Sequence, residues 1–510
     1  MLEYVPERHL TGGLRLEAHK SAATAKPIRR GFLPRELILG LQQHRGAAAQ
    51  LIVTVGQRVL KGEMVAAPGG GPSAAVHASS SGWVRAIEER LVLAADGLQA
   101  SPCIIVETDG KDEPAESASG RAWPRDREPQ LERLRNGGVV GLGGAVFPTA
   151  QKLATASACK ILIINGAECE PHISCDDVLM REFAPQIVSG ALLIADLIQA
   201  PLCVIAVERD KQAAHDAIGA AASEVADPRL KLAEVPTIYP AGGERQLIEL
   251  LTGEEVPSGH YPSEIGYICQ NVGTACAVHR LATQGEPLIT RIVTVTGRGV
   301  REPQNVETPI GAPIRELIDF CGGYTGEAVR LIGGGSMMGY ALPHDDLPVS
   351  KATNCIVAAG AEEVRTDPSE WPCIRCGECS NACPARLLPQ ELLVAARTDD
   401  FDALRALGLR DCIECGCCDV ICPSHIWLTE QFRQAKRSLA VYEREIELSS
   451  ATEERFQRHE RRRHADQEQD VALRDSLRKE ALADPDARRK AIEAAVQRAN
   501  QRRADRDSSD

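Results

Sequence analysis

The sequence predicts a multidomain chain of mixed α/β and α+β character that ends in a charged helical tail. Three observations carry that expectation. At about 150 residues per domain, a length of 510 residues corresponds to three or four domains rather than one. Short β runs, glycine turns and longer apolar runs alternate between residues 50 and 320. Nine of the 18 cysteines fall between Cys373 and Cys422, in two matching runs. A hydrophobic content of 44% and a charged content of 25% are those of an ordinary globular protein, which excludes disordered and collagen-like chains. The net charge of −13 argues against a nucleic-acid partner, which selects a basic face.

From the N-terminus, Met1 to Leu10 lacks the basic start and apolar run of a signal peptide. Val53-Thr-Val-Gly-Gln-Arg-Val-Leu-Lys-Gly62 and Val76-His-Ala-Ser-Ser-Ser-Gly-Trp-Val84 are short β runs with glycine turns. They resemble the barrel-sandwich hybrid of biotinyl and lipoyl carriers. No lysine stands between the two halves, so this part is expected to be a scaffold and not a swinging arm. Next comes Gly137-Gly-Val-Val-Gly-Leu-Gly-Gly-Ala-Val-Phe-Pro-Thr149, then Lys152. The run Gly141-Leu-Gly143-Gly144 could turn backbone N–H groups onto a phosphate, although it fits neither G-x-G-x-x-G nor the Walker pattern. Ile161 to Asn165 is a strand-like apolar run that leads to Glu168 and Glu170. Acids one strand after such a loop can hold ribose hydroxyls.

The most apolar long stretch, Gly190 to Val207, contains Asp196, Gln199 and Pro201. A spanning helix needs about 20 nearly uninterrupted apolar residues. The stretch is therefore expected to be a buried helix followed by a strand, and the chain to have no transmembrane segment of its own. Further on, Ile292-Val-Thr-Val-Thr-Gly297 and Pro309 to Ile318 predict strand, turn and helix.

The two cysteine runs are Cys373-Ile-Arg-Cys376-Gly-Glu-Cys379-Ser-Asn-Ala-Cys383-Pro384 and Cys412-Ile-Glu-Cys415-Gly-Cys-Cys418-Asp-Val-Ile-Cys422-Pro423. Both fit C-x2-C-x2-C-x3-C-P, the spacing with which bacterial-type ferredoxins hold 4Fe–4S clusters. Three thiolates wrap one cubane, and the fourth cysteine of each run ligates the other. Cys373, Cys376, Cys379 and Cys422 are thus assigned to one cluster, and Cys412, Cys415, Cys418 and Cys383 to its neighbour. Zinc knuckles also use C-x2-C pairs, but as separate pairs rather than two four-cysteine runs that each end in Cys-Pro. Cys417 has no slot. The nine scattered cysteines (Cys103, Cys159, Cys169, Cys175, Cys203, Cys269, Cys276, Cys321 and Cys355) are expected to act as small core hydrophobes. From Val441 onward, runs such as Arg461-Arg-Arg463 alternate with acids and form no apolar stripe, which predicts a solvated helix or disorder.

Taken together, Gly141-x-Gly-Gly-Ala-x-Phe-Pro-Thr149 with Lys152, and Asn165-x-x-Glu-x-Glu-Pro171, resemble the FMN- and NADH-binding subunit of respiratory complex I. Tyr239-Pro-Ala-Gly-Gly-Glu244 and Gln270-Asn-Val-Gly-Thr274 resemble later segments of the same family. With Thr11-Gly-Gly13, Ile164 to Ile173 and the two cysteine runs, the chain is similar to the C subunit of the Rnf (Rsx) ion-translocating electron transport complex. The resemblance implies that Gly141, Gly143, Gly144, Lys152, Asn165, Glu168, Asn271 and Thr274 surround non-covalent FMN. It implies that Phe147, Glu170, Tyr239 and Glu244 face NADH. Leu142, Val146, Ala167, Gly243 and Gly273 depart from the complex I pattern and make the pocket less acidic.

The expected domains are an N-terminal segment with the barrel-sandwich hybrid (1–125), a Rossmann-like FMN/NADH domain (126–290) and a β-grasp module (291–350). A ferredoxin-type domain with two 4Fe–4S clusters (360–440) and the tail (441–510) complete the chain. The implied activity is that of an oxidoreductase subunit: hydride passes from NADH to FMN and single electrons pass through the two clusters, with no catalytic side chain. The implied partners are NAD(H) and the A, B, D, E and G subunits of a membrane complex, the iron–sulfur B subunit above all. The implied place is the cytoplasmic side of the inner membrane, as a peripheral protein. A soluble NADH-dependent iron–sulfur flavoprotein and a cluster-bearing adaptor without a nucleotide site remain as alternatives.

Overall fold

The computed structural model describes residues 10–94, 96–116, 122–156, 158–364 and 369–507. The chain divides into two compact units, Met1–Gln434 and Ala435–Asp510.

Within the first unit, the N-terminal region folds into two small antiparallel sheets. Glu36–Gly40, Gly97–Thr108, Gly82–Ala94 and Arg58–Val59 form one, and Gln50–Leu51, Met64–Ala67 and Val76–His77 the other. Leu37, Leu39, Val59, Val65, Val84, Ile104 and Val106 fill the space between them. The tip between Ala67 and Val76 is Pro-Gly-Gly-Gly-Pro-Ser-Ala-Ala, with no lysine to carry a prosthetic arm.

The second sheet system is parallel. Its four strands lie in the order Leu230–Val235, Cys203–Glu208, Ile161–Gly166, Tyr267–Asn271. Parallel strands covered on both faces are expected to be continuously apolar, and Ile161-Leu-Ile-Ile164 shows why. Leu162 and Ile164 enter one core with the helices Cys175–Leu197 and Val272–Gln284. Ile163 enters the other core, with helix Glu244–Thr252. The apolar stretch from Gly190 resolves into the end of the first of these helices and the strand Cys203–Glu208, as the sequence suggests. Helix Cys175–Ile198 is long and apolar enough to cross a membrane by composition, but 61% of its apolar window is buried inside this domain.

A third, mixed sheet runs Gln304–Pro309, Thr290–Thr296, Cys355–Gly360, Ala328–Gly333, Tyr340–Leu342, with helix Ile314–Phe320 packed through Ile314, Leu317 and Ile318. Its central strand, Cys355–Gly360, lies beyond residue 350, where the sequence pattern places the end of this module. Its pairing with Thr290–Thr296 spans the intervening strands and helix, so no local pattern marks its return to the sheet.

The second unit is helical. Helix Leu428–Ala483 continues through it and is followed by Pro485–Asp507. Asp484 separates the two: its carboxylate accepts from the N–H groups of Asp486 and Ala487, both at 3.1 Å, and Pro485 occupies the first helical position. Ile446, Leu448, Phe456, Val471 and Leu477 are all exposed, while Arg463–Glu460 and Arg489–Glu493 pair one turn apart. Of the two expectations for this segment, the solvated helix is the one found.

Candidate functional site

In sequence order the parallel strands stand 3-2-1-4, so the order reverses between Ile161–Gly166 and Tyr267–Asn271. Open parallel sheets bind ligands outside the carboxyl ends of their strands at such a reversal. Asn165 and Asn271 are register partners there. The sequence-predicted residues gather on this edge because each follows a strand: Glu168 and Glu170 after Gly166, Tyr239 and Glu244 after Val235, and Thr274 after Asn271.

The glycine loop closes over the same edge. Gly141 donates its N–H to the Phe147 carbonyl at 2.9 Å. The Leu142 N–H donates to the buried Thr274 hydroxyl at 2.9 Å. A Cβ on Gly143 would lie 3.2 Å from Asn271 Cβ, and Gly144 adopts φ +112° with open space around it. Gly143, Gly144 and Ala145 are exposed, and Phe147 is half-buried. Lys152 donates to Glu244 at 2.7 Å and to the Cys269 carbonyl at 2.6 Å. Burial opposes its charge, but the Glu244 carboxylate holds its pKa above the usual lysine value.

Several predicted side chains are committed to the protein itself. Asn165 donates to the Gly242 carbonyl at 2.8 Å and accepts from the Ala167 N–H at 2.9 Å, tying the two loops of the edge together. Asn271 accepts from the Gly273 N–H at 2.8 Å and donates to Asp176 at 2.6 Å. Glu168 turns toward the start of helix Cys175–Leu197 and accepts from the N–H groups of Asp176 (2.9 Å) and Asp177 (3.3 Å). Glu170 accepts from the N–H groups of Met337 (3.1 Å) and Met338 (2.8 Å) in the third sheet system, and burial raises its pKa. The Tyr239 hydroxyl donates to the Cys415 carbonyl at 2.6 Å, and burial raises its pKa well above the usual phenol value.

Polar atoms remain for a ligand. Gln270 Nε2 and Thr149 Oγ1 are buried with no partner among the described residues, one on the reversal strand and the other directly after the glycine loop. Together with the exposed glycine backbone, they fit a phosphorylated flavin.

Sequence reasoning passed over Asp176, Gln270 and Glu208. Asp176 is half-buried, and desolvation, then the nearby Glu168, raises its pKa. Glu208 ends the second strand, 1% exposed, with both carboxylate oxygens lacking a hydrogen-bond partner among the described residues and a pKa pushed up to about 7, chiefly by burial. Their position at strand and helix ends was the available signal.

The cysteine runs form two loops with the same backbone. Arg375 and Glu414, each before the second cysteine of its run, have φ of 55° and 58°; Gly377 and Gly416, each after it, have 83° and 76°. Arg386 and His425, each three residues after the fourth cysteine, repeat the pattern at 53° and 57°. Such left-handed turns direct successive N–H groups inward, as an anionic centre needs. Cys373, Cys376, Cys379 and Cys422 line one hollow, so the last cysteine of the second run sits with the first three of the first run. Cys373 and Cys376 are exposed, while Cys415, Cys417 and Cys418 are buried. Cys417 packs with Tyr239, Ala382 and Cys415. Of the nine scattered cysteines, seven are buried, and Cys159 and Cys169 are partly so.

This arrangement, a flavin-type parallel sheet with a two-loop cysteine module against its ligand edge, defines an iron–sulfur flavoprotein. Family models match in the same order. They are the RnfC barrel sandwich hybrid domain over residues 8–111, the Nuo51 FMN-binding domain over 134–280, the SLBB domain over 292–341 and the 4Fe-4S dicluster domain over 364–423. The chain belongs to the family formed by the C subunits of ion-translocating oxidoreductase complexes. It is 44% identical to the C subunit from Pseudomonas aeruginosa over 91% of this chain and 60% of the relative. The Vibrio cholerae relative is 40% identical over 98% and 65%, and that of Pectobacterium atrosepticum 38% identical over 96% and 70%. The chain thus spans 60% and 65% of the length of the first two. A chain of an NAD+-reducing [NiFe]-hydrogenase in the air-oxidized state overlays with a TM-score of 0.44 at 22% identity, over 57% of this chain and 55% of that one.

Proposed function

We propose that this chain is the electron-input subunit of a membrane-bound complex that couples electron transfer between NADH and ferredoxin, or another downstream acceptor, to ion movement. The observation that carries this reading is the Tyr239–Cys415 hydrogen bond, which ties the ligand edge of the parallel sheet to a cysteine loop of the dicluster module. Bound FMN supplies the exchange between hydride and single-electron chemistry, and the 4Fe–4S clusters supply single-electron relay.

The protein's own share is binding and alignment. Gly141, Gly143, Gly144, Asn271 and Thr274 form the cradle at the strand reversal, with Lys152 as its cation. Asn165 holds the edge loops in register, and Glu168 supports them from the helix start behind. Phe147, Glu170, Tyr239 and Glu244 border the nucleotide side. Cys373, Cys376, Cys379 and Cys422 hold one cluster, and Cys412, Cys415, Cys418 and Cys383 the other. The strand order supports a Rossmann-like flavin/NADH domain, and the mixed five-stranded sheet with its single helix supports a β-grasp module between flavin and clusters. Iron–sulfur partners and a peripheral place on the cytoplasmic face of the inner membrane follow from the same reading.

The test is cofactor analysis of the purified chain with NADH titration. FMN should be stoichiometric and bleached by NADH, with about eight iron and eight sulfide per chain. Zinc in place of iron, iron near four, or flavin untouched by NADH would each defeat it.

A further inference from the structure

The Thr11-Gly-Gly13 segment has no place in the function described so far, yet it lies at the junction between sheet edge and cysteine loops. Gly12 has φ +64°, and a Cβ there would come within 2.7 Å of the Cys383 backbone carbonyl carbon. Gly13 has φ +79° and donates its N–H to the Ala382 carbonyl at 3.0 Å. The next residue, Leu14, exchanges two backbone hydrogen bonds with Tyr239: its N–H donates at 2.8 Å and its carbonyl accepts at 3.0 Å. Tyr239 in turn reaches Cys415 through its hydroxyl at 2.6 Å. Arg386, three residues after Cys383, donates to Thr11 Oγ1 at 3.2 Å. Four residues thus touch the cysteine loops on one side and Tyr239 on the other.

We infer that residues 11–14 are a positioning strap that fixes the gap between the flavin pocket and the centre held by Cys383, Cys412, Cys415 and Cys418, which makes that centre the first to receive electrons. The inference rests on the functional reading above. Among the described residues, the strap's hydrogen bonds go to Ala382, Arg386 and Tyr239, the partner of Cys415, and its closest approach to a cysteine is Gly12 on Cys383; none goes to Cys373 or Cys376, which are exposed. The electron count closes: NADH gives up two electrons and one proton as hydride, each cubane takes one electron, and the proton goes to water.

The test uses the reconstituted full chain, read by electron paramagnetic resonance after dithionite and, separately, after NADH. Gly12→Ala is compared with Gly71→Ala, which carries the same left-handed strain (φ +71°) but has no neighbour within 4 Å. Gly12→Ala is expected to shift the dithionite-reduced signal of one cluster, the one that Cys415→Ala removes, and to leave the other unchanged. With NADH, that cluster should fill about tenfold more slowly, as for a reacting group displaced by a fraction of an ångström, while flavin bleaching keeps its rate. Gly71→Ala should match the unmodified chain. Unchanged signals and rates in Gly12→Ala, or equal effects in Gly71→Ala, would overturn the inference. If NADH fails to bleach the unmodified flavin, the functional reading falls, and the dithionite signal still decides the strap. If Gly12→Ala binds less iron, Thr11→Val, which removes only the hydroxyl that accepts from Arg386, decides by the same signal: a shift supports the strap and an unshifted spectrum refutes it.

Discussion

Lys351 carries its amine into the interior, 1% exposed, and among the described residues only the carbonyls of Ala75 (3.0 Å) and Gly138 (2.7 Å) receive it. It joins the N-terminal region to the loop that leads into the flavin site. Burial pushes its pKa down to about 7. Between about pH 7 and its ordinary value near 10, the unfolded chain binds the extra proton, so this group makes stability rise with pH, by up to about 1.4 kcal/mol per unit. Below about pH 7 both states are protonated and the cost is constant. Lys351→Met leaves the two carbonyls unpaired at every pH but removes the titration. Its stability relative to the parent chain, read from denaturant melts, should therefore fall steadily from about pH 7 to about pH 9; a flat difference would show that the amine is not buried as described. Nothing in Ser350-Lys-Ala352 announces a buried charge, because the burial comes from residues more than 200 positions away. The cluster cysteines are the opposite case: their spacing is dictated by the cubane and can be read locally.

At the scale of elements, helix Cys175–Leu197 shows both kinds of constraint. Gly190 lies directly on the Ala275 backbone of helix Val272–Gln284, leaving no room for a Cβ. Gly190→Ala should cost about 1–3 kcal/mol by overpacking, seen as a lower denaturant midpoint with an unchanged slope. The helix start is served by Glu168, so Glu168→Ala should cost the FMN-free chain about 2 kcal/mol, the worth of hydrogen bonds to a charged acceptor. Glu168→Gln should recover part of it, and equal losses in both variants would mean that the charge, not the acceptor geometry, matters. The sequence signals for this helix were its apolar run and the acids after the preceding strand. They located the element, but a carboxylate after a strand can face a ligand or a helix start with the same local sequence, so local sequence does not separate these roles for Glu168. The third sheet's central strand, Cys355–Gly360, was missed for a related reason: its pairing with Thr290–Thr296 and Ala328–Gly333 is set by packing and not by periodicity.

For the whole molecule, the cysteine module should depend on its metal more than its neighbours do. Residues 373–426 hold only short helices and loops, the longest helix being Pro389–Arg397, with left-handed turns around the cysteines. Removal of iron should expose Arg375 and Arg386 to trypsin while the parallel-sheet domain stays intact; equal digestion of both regions would contradict this. The order of domains was legible because each carries its own local signature. Their mutual placement was not: the contact between Gly12 and Cys383 joins residues far apart in sequence, with only two glycines to mark it.

The two cysteine loops repeat the same turns and share a hollow to which the second run contributes Cys422. If each loop lends its last thiol to the other, neither can complete a tetrahedral set alone. Biogenesis would then be cooperative: a cubane delivered to one loop waits for the other to close, and the first delivery preorganises the second. In a population given too little iron, chains should be found empty or doubly loaded, with few caught holding one cluster.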